Sequence, residues 1–149
     1  MPEGNELNRK TMFDKEIYRR RREQLKKSIG SGLLLFLGND DTGVNYADNT
    51  YPFRQDSTFL YFFGQPYAGL DAVIDIDNDR EIIFGDELSI DHIVWMGNQP
   101  TICEKAEMAG ISDTRPHAAI KEYLAKAKNA GQRIHYLPPY RDAHRVKLY

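Results

Sequence analysis

Residues 51–64 have the sequence YPFRQDSTFLYFFG, and no other part of the chain says as much about its fold. Pro52 fixes its own backbone φ angle and biases Tyr51 toward extended geometry. An aromatic residue, a rigid corner, a second aromatic residue and the polar triplet Arg54-Gln55-Asp56 therefore follow one another in a fixed arrangement. The aromatic residues of the stretch then alternate at the period of a strand, which predicts a strand over 57–63 that packs through its aromatic side chains.

Size and composition indicate a single domain. The chain has 149 residues, 41% of them hydrophobic, which is enough to bury a core. Its 20 basic and 22 acidic residues leave a net charge of -2, so no global positive field favours nucleic-acid binding. The run Arg19-Arg20-Arg21-Arg22 shares its segment with acidic residues at spacings of three and four. We therefore interpret it as a solvated or subunit-facing helix surface rather than a phosphate contact.

Cysteine content and hydropathy favour a soluble, cytoplasmic protein. The single cysteine, Cys103, excludes an internal disulfide framework and a multi-cysteine zinc site, and we expect it to be a small buried side chain. No apolar run approaches the roughly 20 residues that a membrane span requires. The first residues also lack a basic region followed by an apolar one, so no secretory signal is recognised.

Hydrophobic patterning predicts mixed helices and strands. A first helix is predicted over about 13–29, where a capping box at Thr11 precedes it. A second, short helix is predicted after the capping box of Thr101 and Glu104, and a third over 116–130. Strands are predicted at 33–37 in the middle of a sheet, at 57–63, in a hairpin of 71–76 with 80–84, and at 132–137. Residues 38–49 are expected to form a loop, and 140–149 show no clear period. This order implies an α/β fold with a mixed sheet.

No complete active site is recognisable in the sequence. The histidines His92, His117, His135 and His144 are isolated from metal-binding motifs, so each is predicted to be satisfied or solvent-facing. No nucleophile elbow, phosphate-binding loop or dinucleotide fingerprint occurs. The acidic run 75–79 looks like a cation-binding loop, but it lacks the glycine and the closing glutamate of an EF-hand. A hairpin turn explains it better.

The stretch 51–64 resembles a family signature, Y-P-[FY]-R-Q-[ND]-S-x-F-x-Y-[FL]-[TF]-G. This signature occurs in the N-terminal domain of Xaa-Pro aminopeptidases (aminopeptidase P), relatives of prolidase and creatinase. The resemblance extends over nearly the whole chain and implies a mixed sheet flanked by helices, an arrangement likened to ribonuclease H. The signature residues in this chain are Tyr51, Pro52, Phe53, Arg54, Gln55, Asp56 and Ser57.

The resemblance also implies which parts of the enzyme this chain does not supply. Family peptidases hold two divalent ions, typically manganese, through two aspartates, one histidine and two glutamates of a following C-terminal pita-bread domain. The resemblance therefore implies that residues 1–149 are one non-catalytic domain that is inactive alone and holds no metal. It would shape the entrance of the active site, make subunit contacts in a dimer or tetramer, and admit proline-containing peptides.

Three residues are candidates for the substrate cleft or for a subunit contact. Asp48 matches a family aspartate that faces the active-site region, although a surface aspartate in a polar loop is equally possible. Trp95 matches a family tryptophan that reaches a neighbouring subunit's cleft, and its flat indole suits a proline ring, although a lone tryptophan is more often core. Arg54 offers a guanidinium, and we expect it to form an ion pair with Asp56 that holds the signature segment.

Two alternatives remain open at this point. The chain could be a stand-alone, non-catalytic module of the same fold that binds peptides or proteins. It could also be the N-terminal domain of a creatinase or prolidase, although the motif favours the aminopeptidase branch. The uncapped end at 146–149 favours a chain that continues.

Overall fold

The computed structural model describes residues 14–40, 53–87, 100–138 and 142–148. Its helices are α1 Lys15–Ile29, α2 Ser57–Phe63, α3 Ile102–Met108, α4 Ala119–Asn129 and α5 Asp142–Leu148. Its strands are β1 Leu33–Leu37, β2 Asp71–Asp75, β3 Arg80–Phe84, β4 Asp113–Arg115 and β5 Ile134–His135. These strands form one sheet in the order β4-β3-β2-β1-β5. The predicted α/β fold with a mixed sheet is confirmed.

The centre of the sheet is the predicted hairpin of β2 and β3 with β1 beside it. β2 pairs antiparallel with both neighbours, whereas the outer pairs β3–β4 and β1–β5 are parallel. Side chains alternate between two apolar layers, so that Leu34 and Ile74 pack with α2 and α3, and Leu33 and Val73 pack with α4. β1 is therefore buried on both faces inside the sheet, as its continuous apolar run predicts.

Helix α1 is confirmed, but its start and its buried face differ from the prediction. Asp14, not Thr11, is its N-cap, because the Asp14 side chain accepts a hydrogen bond from the amide of Glu16. The buried residues are Tyr18 and Arg22, while Ile29 is 40% exposed. The four- and eight-residue spacing of Ile17, Leu25 and Ile29 predicts an apolar face. Leu25 does pack against the core, but one of the two buried residues of the helix is the charged Arg22.

The prediction that the arginine run forms a solvated or subunit-facing surface is wrong for two of its members, because Arg21 and Arg22 bind this same domain. Arg21 donates to the carbonyl of Tyr61 at 2.9 Å and lies over the Tyr61 ring. Arg22 is fully buried, and its two terminal nitrogens donate to the carbonyls of Phe62 at 2.9 Å and Ala109 at 2.7 Å. Arg20 stays exposed.

The Arg22 guanidinium also forms a partly buried ion pair. Its Nε lies 3.2 Å from Oε2 of Glu81, whose other oxygen lies 2.9 Å from Nζ of Lys26. Burial lowers the pKa of Arg22, and Glu81 only partly offsets this. Burial alone would raise the pKa of Glu81, but the two cations outweigh it and lower that pKa. One arginine therefore joins α1 to β3 and to the ends of α2 and α3.

The prediction of a strand at 57–63 is wrong, because this segment is helix α2. The side chain of Asp56 accepts a hydrogen bond from the amide of Phe59 at 2.9 Å, which caps the helix start. Gly64 ends the helix at a positive φ of 59° and donates to Leu60. Phe59 and Phe63 lie four residues apart and are both buried, while Tyr61 is 49% exposed. The aromatic residues of 57–63 fit both the two-residue period of a strand and the four-residue spacing of a helix. The N-cap hydrogen bond of Asp56 favours the helix.

Other boundaries confirm or correct the sequence reading. Thr101 caps α3 through the amide of Glu104, as predicted, whereas α4 begins at Ala119, three residues later than expected. β5 covers only two residues of the predicted 132–137. β4 and α5 were not predicted. Cys103 is exposed, which contradicts the expectation of a buried side chain.

Replacing Arg22 tests whether its buried contacts stabilise the domain. We expect Arg22→Met to lower the free energy of unfolding by about 3–5 kcal/mol, because it leaves Glu81 half-buried without its main partner and two carbonyls without donors. Urea denaturation measures this change. Arg20→Met removes the same charge from an exposed position of the same run and should change stability by less than about 0.5 kcal/mol. Equal effects of the two substitutions would contradict this account.

Candidate functional site

The described residues include only part of the predicted site. Asp48, Trp95 and the first two signature residues, Tyr51 and Pro52, lie outside them, as do His92 and most of the predicted loop 38–49. Their proposed roles stay predictions. The structure does describe the signature from Phe53 to Ser57, and it places this segment at the start of α2.

Gln55 is the centre of a buried hydrogen-bond network that we call the Gln55 hub. Its side chain is buried and donates to the carbonyls of Gln65 at 2.9 Å and Tyr67 at 2.8 Å. Its oxygen accepts from the amides of Asn39 at 2.8 Å and Asp56 at 3.0 Å. One amide side chain thus ties the loop after β1 to the signature and to the loop after α2.

Asn39 extends this hub. Its side-chain amide donates to the carbonyl of Arg54 at 2.9 Å, while its own amide is bound by Gln55. The backbone of the Arg54-Gln55-Asp56 triplet is therefore held from two sides. The polar residues of the signature build a rigid frame and do not form a reactive group.

The predicted ion pair between Arg54 and Asp56 is wrong. Within the described ranges no ion pair joins the two residues, and Asp56 serves instead as the N-cap of α2. The Arg54 side chain is exposed, although its backbone carbonyl is bound by Asn39. The structure thus leaves the guanidinium of Arg54 on the surface of a fixed backbone.

A second polar cluster surrounds Asp71 at the start of β2. The carboxylate is 1% exposed, and its oxygens lie 2.7 Å from Nε2 of His117 and 3.4 Å from Nζ of Lys147. Lys147 also lies 3.1 Å from a carboxylate oxygen of Asp40. The hydrogen bond to Asp71 raises the pKa of His117, against the opposing effects of burial and of Lys147. His117 is thus a satisfied histidine, as predicted.

Asp75 organises the opposite end of β2. Tyr123 donates to it at 2.6 Å, Gln132 at 2.7 Å and Asn78 at 2.8 Å. Burial would raise the pKa of Asp75, but these donors outweigh it and lower that pKa. Burial and the bond to Asp75 raise the pKa of Tyr123 to about 12. The acidic run is therefore a hairpin turn, as predicted, with its buried carboxylate already satisfied.

An apolar cavity of about 270 Å³ lies between β1, the start of α2 and α5. Its walls include Phe36, Thr58, Leu137 and the buried His144, whose Nε2 lies 3.2 Å from the carbonyl of Gly38. His144 is thus another satisfied histidine. In the parts of the chain that the structure describes, no three His, Cys, Asp or Glu side chains are arranged to hold a metal ion. No described helix is long and apolar enough to cross a membrane.

The family follows from a comparison with known proteins. A family model described as "Aminopeptidase P, N-terminal domain" matches residues 18–135, which include the Gln55 hub, Asp71 and Asp75. The chain belongs to the aminopeptidase P N-terminal domain family. This confirms the resemblance that the signature indicated.

Relatives in this family are longer than this chain. Two proteins of Aspergillus fumigatus named "Probable Xaa-Pro aminopeptidase" are each 29% identical over 96 residues, covering 64% of this chain and 20% of the relative. One from Emericella nidulans is 29% identical over 99 residues, covering 66% of this chain and 21% of the relative. The chain spans about a fifth of the length of these relatives.

Solved structures share the fold of the aminopeptidase P N-terminal domain. Aminopeptidase PepP of Pseudomonas aeruginosa matches with a TM-score of 0.76 and 20% identity, over 91% of this chain and 31% of that one. Aminopeptidase P of Escherichia coli matches with a TM-score of 0.66 and 22% identity, over 78% of this chain and 27% of that one. The predicted mixed sheet flanked by helices is therefore confirmed.

Sequence reasoning missed most of the polar residues that hold this region together. Asn39 and Gln65 are single amides in polar loops, and Asp71 was noted only as part of a predicted strand. The one available signal was the position of Asp71 and Asp75 at the two ends of an otherwise apolar strand. Ionised carboxylates in so apolar a strand require partners, but only the tertiary structure shows which ones.

Substituting Gln55 tests the hub. We expect Gln55→Ala to destabilise the domain by at least about 2 kcal/mol, because four backbone groups lose their buried partner. Gln55→Glu should also destabilise it, since the new oxygen faces the carbonyls of Gln65 and Tyr67. Thermal and urea denaturation measure both changes. Arg54→Ala is the matched control and should stay within about 0.5 kcal/mol of the unchanged chain. A neutral Gln55→Ala would show that the signature is conformationally unimportant.

Proposed function

We propose that this chain is the N-terminal domain of an Xaa-Pro aminopeptidase, which releases the residue that precedes proline at the amino end of a peptide. The observation that carries the proposal is the family match over residues 18–135. Relatives named Xaa-Pro aminopeptidase also support it. This chain aligns with about a fifth of their length, which suits one domain of a longer enzyme. In this proposal, residues 1–149 form one non-catalytic domain, and a catalytic pita-bread domain follows.

The described residues do not fit a metal centre. Where the structure describes the chain, no three potential ligands converge, and the buried carboxylates of Asp71 and Asp75 are already bound by protein donors. In this proposal the two divalent ions, which we expect to be manganese, are bound by the C-terminal domain, and this chain supplies none of their ligands. The 149-residue chain alone is expected to be inactive.

The contribution of this domain would be to shape access to the active site. The Gln55 hub fixes the backbone at Arg54 while the side chain stays exposed, which suits a residue that meets a substrate or a neighbouring subunit. Asp48 and Trp95 are proposed for the same cleft from the family motif. The full-length protein would be a cytoplasmic homo-oligomer that admits short peptides by excluding larger ones.

The activity test uses the native polypeptide that contains these residues. An antibody raised against the 149-residue chain captures it from source cells, and its mass is measured. We expect a polypeptide several times heavier than 17.2 kDa that cleaves Xaa-Pro peptides but not matched Xaa-Ala peptides. Chelation should abolish the activity and manganese should restore it. The isolated chain serves as the inactive control.

Two outcomes would overturn the proposal. A native polypeptide of the chain's own mass without peptidase activity would favour the stand-alone binding module. Cleavage of free dipeptides or of creatine would favour the prolidase or creatinase branch. Tight paired manganese binding by the isolated chain, measured by calorimetry, would contradict the assignment of the metals to another domain.

Trp95 and Arg54 can be tested in the same full-length enzyme. We expect Trp95→Ala and Arg54→Ala to raise KM for Xaa-Pro peptides about 10-fold or more while leaving metal content unchanged, because both would act on substrate access and not on the nucleophile. Trp95→Phe keeps an aromatic face and should retain most of the affinity. If KM is unchanged in both alanine variants, neither Trp95 nor Arg54 acts in the substrate cleft.

A further inference from the structure

The carboxylate of Asp71 joins three elements where β1 ends and β2 begins. On one side it meets His117, which precedes α4, at 2.7 Å, and on the other it meets Lys147 of α5 at 3.4 Å. It also accepts from the amide of Gly38 at 3.2 Å. A carboxylate that is 1% exposed thus lies between two side chains that can both be positive.

Helix α5 is held to the sheet at this same corner. Lys147 pairs with Asp71 and Asp40, His144 contacts the carbonyl of Gly38, and Leu148 packs against the core layer of α4. The outward residue Val146 is 78% exposed. The helix lies beyond residues 18–135 that match the family, so nothing in that match accounts for its docking.

We propose that the docking of α5 is proton-linked through His117. A proton on His117 places a second positive charge beside Asp71 and thereby weakens the hold of that carboxylate on Lys147. The reverse effect is seen in the pKa of His117, which Lys147 opposes although the hydrogen bond to Asp71 raises it. Linkage is reciprocal. If Lys147 beside Asp71 disfavours protonation of His117, then protonation of His117 disfavours the placement of Lys147 beside Asp71.

Other charged groups at this corner are Asp86 and Asp40. Asp86 accepts from the backbone amide of His117 at 3.1 Å and favours its protonation, whereas Asp40 binds Lys147. The histidines at this corner are His117 and, on α5 itself, His144. The test must separate these two.

Global stability should respond to His117 in the opposite direction. Because its pKa is raised in the folded state, its pair with Asp71 contributes fully to the free energy of unfolding below the unfolded pKa of about 6.5. That contribution is lost as pH rises through the folded pKa. Acidification therefore strengthens the His117–Asp71 contact and at the same time loosens α5, which distinguishes local undocking from general acid unfolding.

Hydrogen exchange of the 149-residue chain measures the docking directly, and the result does not depend on the proposed peptidase function. Corrected for intrinsic exchange, protection of the amides in 146–148, which follow the first turn of α5, should fall about two- to fivefold between about pH 8 and about pH 5.5. His117→Gln keeps a donor for Asp71 but takes no charge, so it should abolish this fall. If amide protection in His117→Gln still falls on acidification, the proposal is overturned. The same holds if only His144→Gln abolishes the fall.

A histidine NMR titration tests the reciprocal effect. Lys147→Met should raise the pKa of His117, whether or not α5 remains docked, because it removes the opposing charge. Lys126→Met is the matched control, since Lys126 is exposed on α4 and pairs only with Glu122 among the described residues. An unchanged pKa of His117 in Lys147→Met would also overturn the proposal.

Discussion

The buried guanidinium of Arg22 is the interaction on which the arrangement of the helices around the sheet depends. A charge removed from water costs several kcal/mol unless it is paired and hydrogen-bonded. Arg22 meets this requirement only where the ends of α2 and α3 present the carbonyls of Phe62 and Ala109 beside Glu81 of β3. The position of α1 is thus coupled to α2, α3 and β3. One residue of its charged sequence, Arg22, belongs to the core.

Polar side chains play the same structural part elsewhere in the domain. Gln55 binds four backbone groups, and Asp75 binds donors from the hairpin turn, α4 and the segment before β5. Both polar atoms of the Gln55 side chain are hydrogen-bonded, so it can rigidify the loops that it joins, whereas the buried Oδ1 of Asn39 has no hydrogen-bond partner among the described residues. The backbone at Arg54 is held by such a network while the Arg54 side chain stays exposed.

Sequence patterns were sufficient where a single local interaction decides the structure. The apolar run of β1, the hairpin of β2 and β3 and the Thr101 cap of α3 all appear where they were predicted. The pattern failed at 57–63, because aromatic residues there fit both the two-residue period of a strand and the four-residue spacing of a helix. The signal that could have decided it was Asp56, three residues before Phe59, as an N-cap.

The sequence by itself determined the α/β class, the central antiparallel strands and, through the signature at 51–64, the family. These depend on residues close together in the chain, whose periodicity and motif spacing can be read directly. Only the tertiary structure decided that Arg22 is buried, that Gln55 is a hub and that Asp71 meets both His117 and Lys147. Apart from Asp56, which is adjacent to Gln55, those partners lie from 10 to 87 residues apart, and local patterns do not show which distant groups will meet.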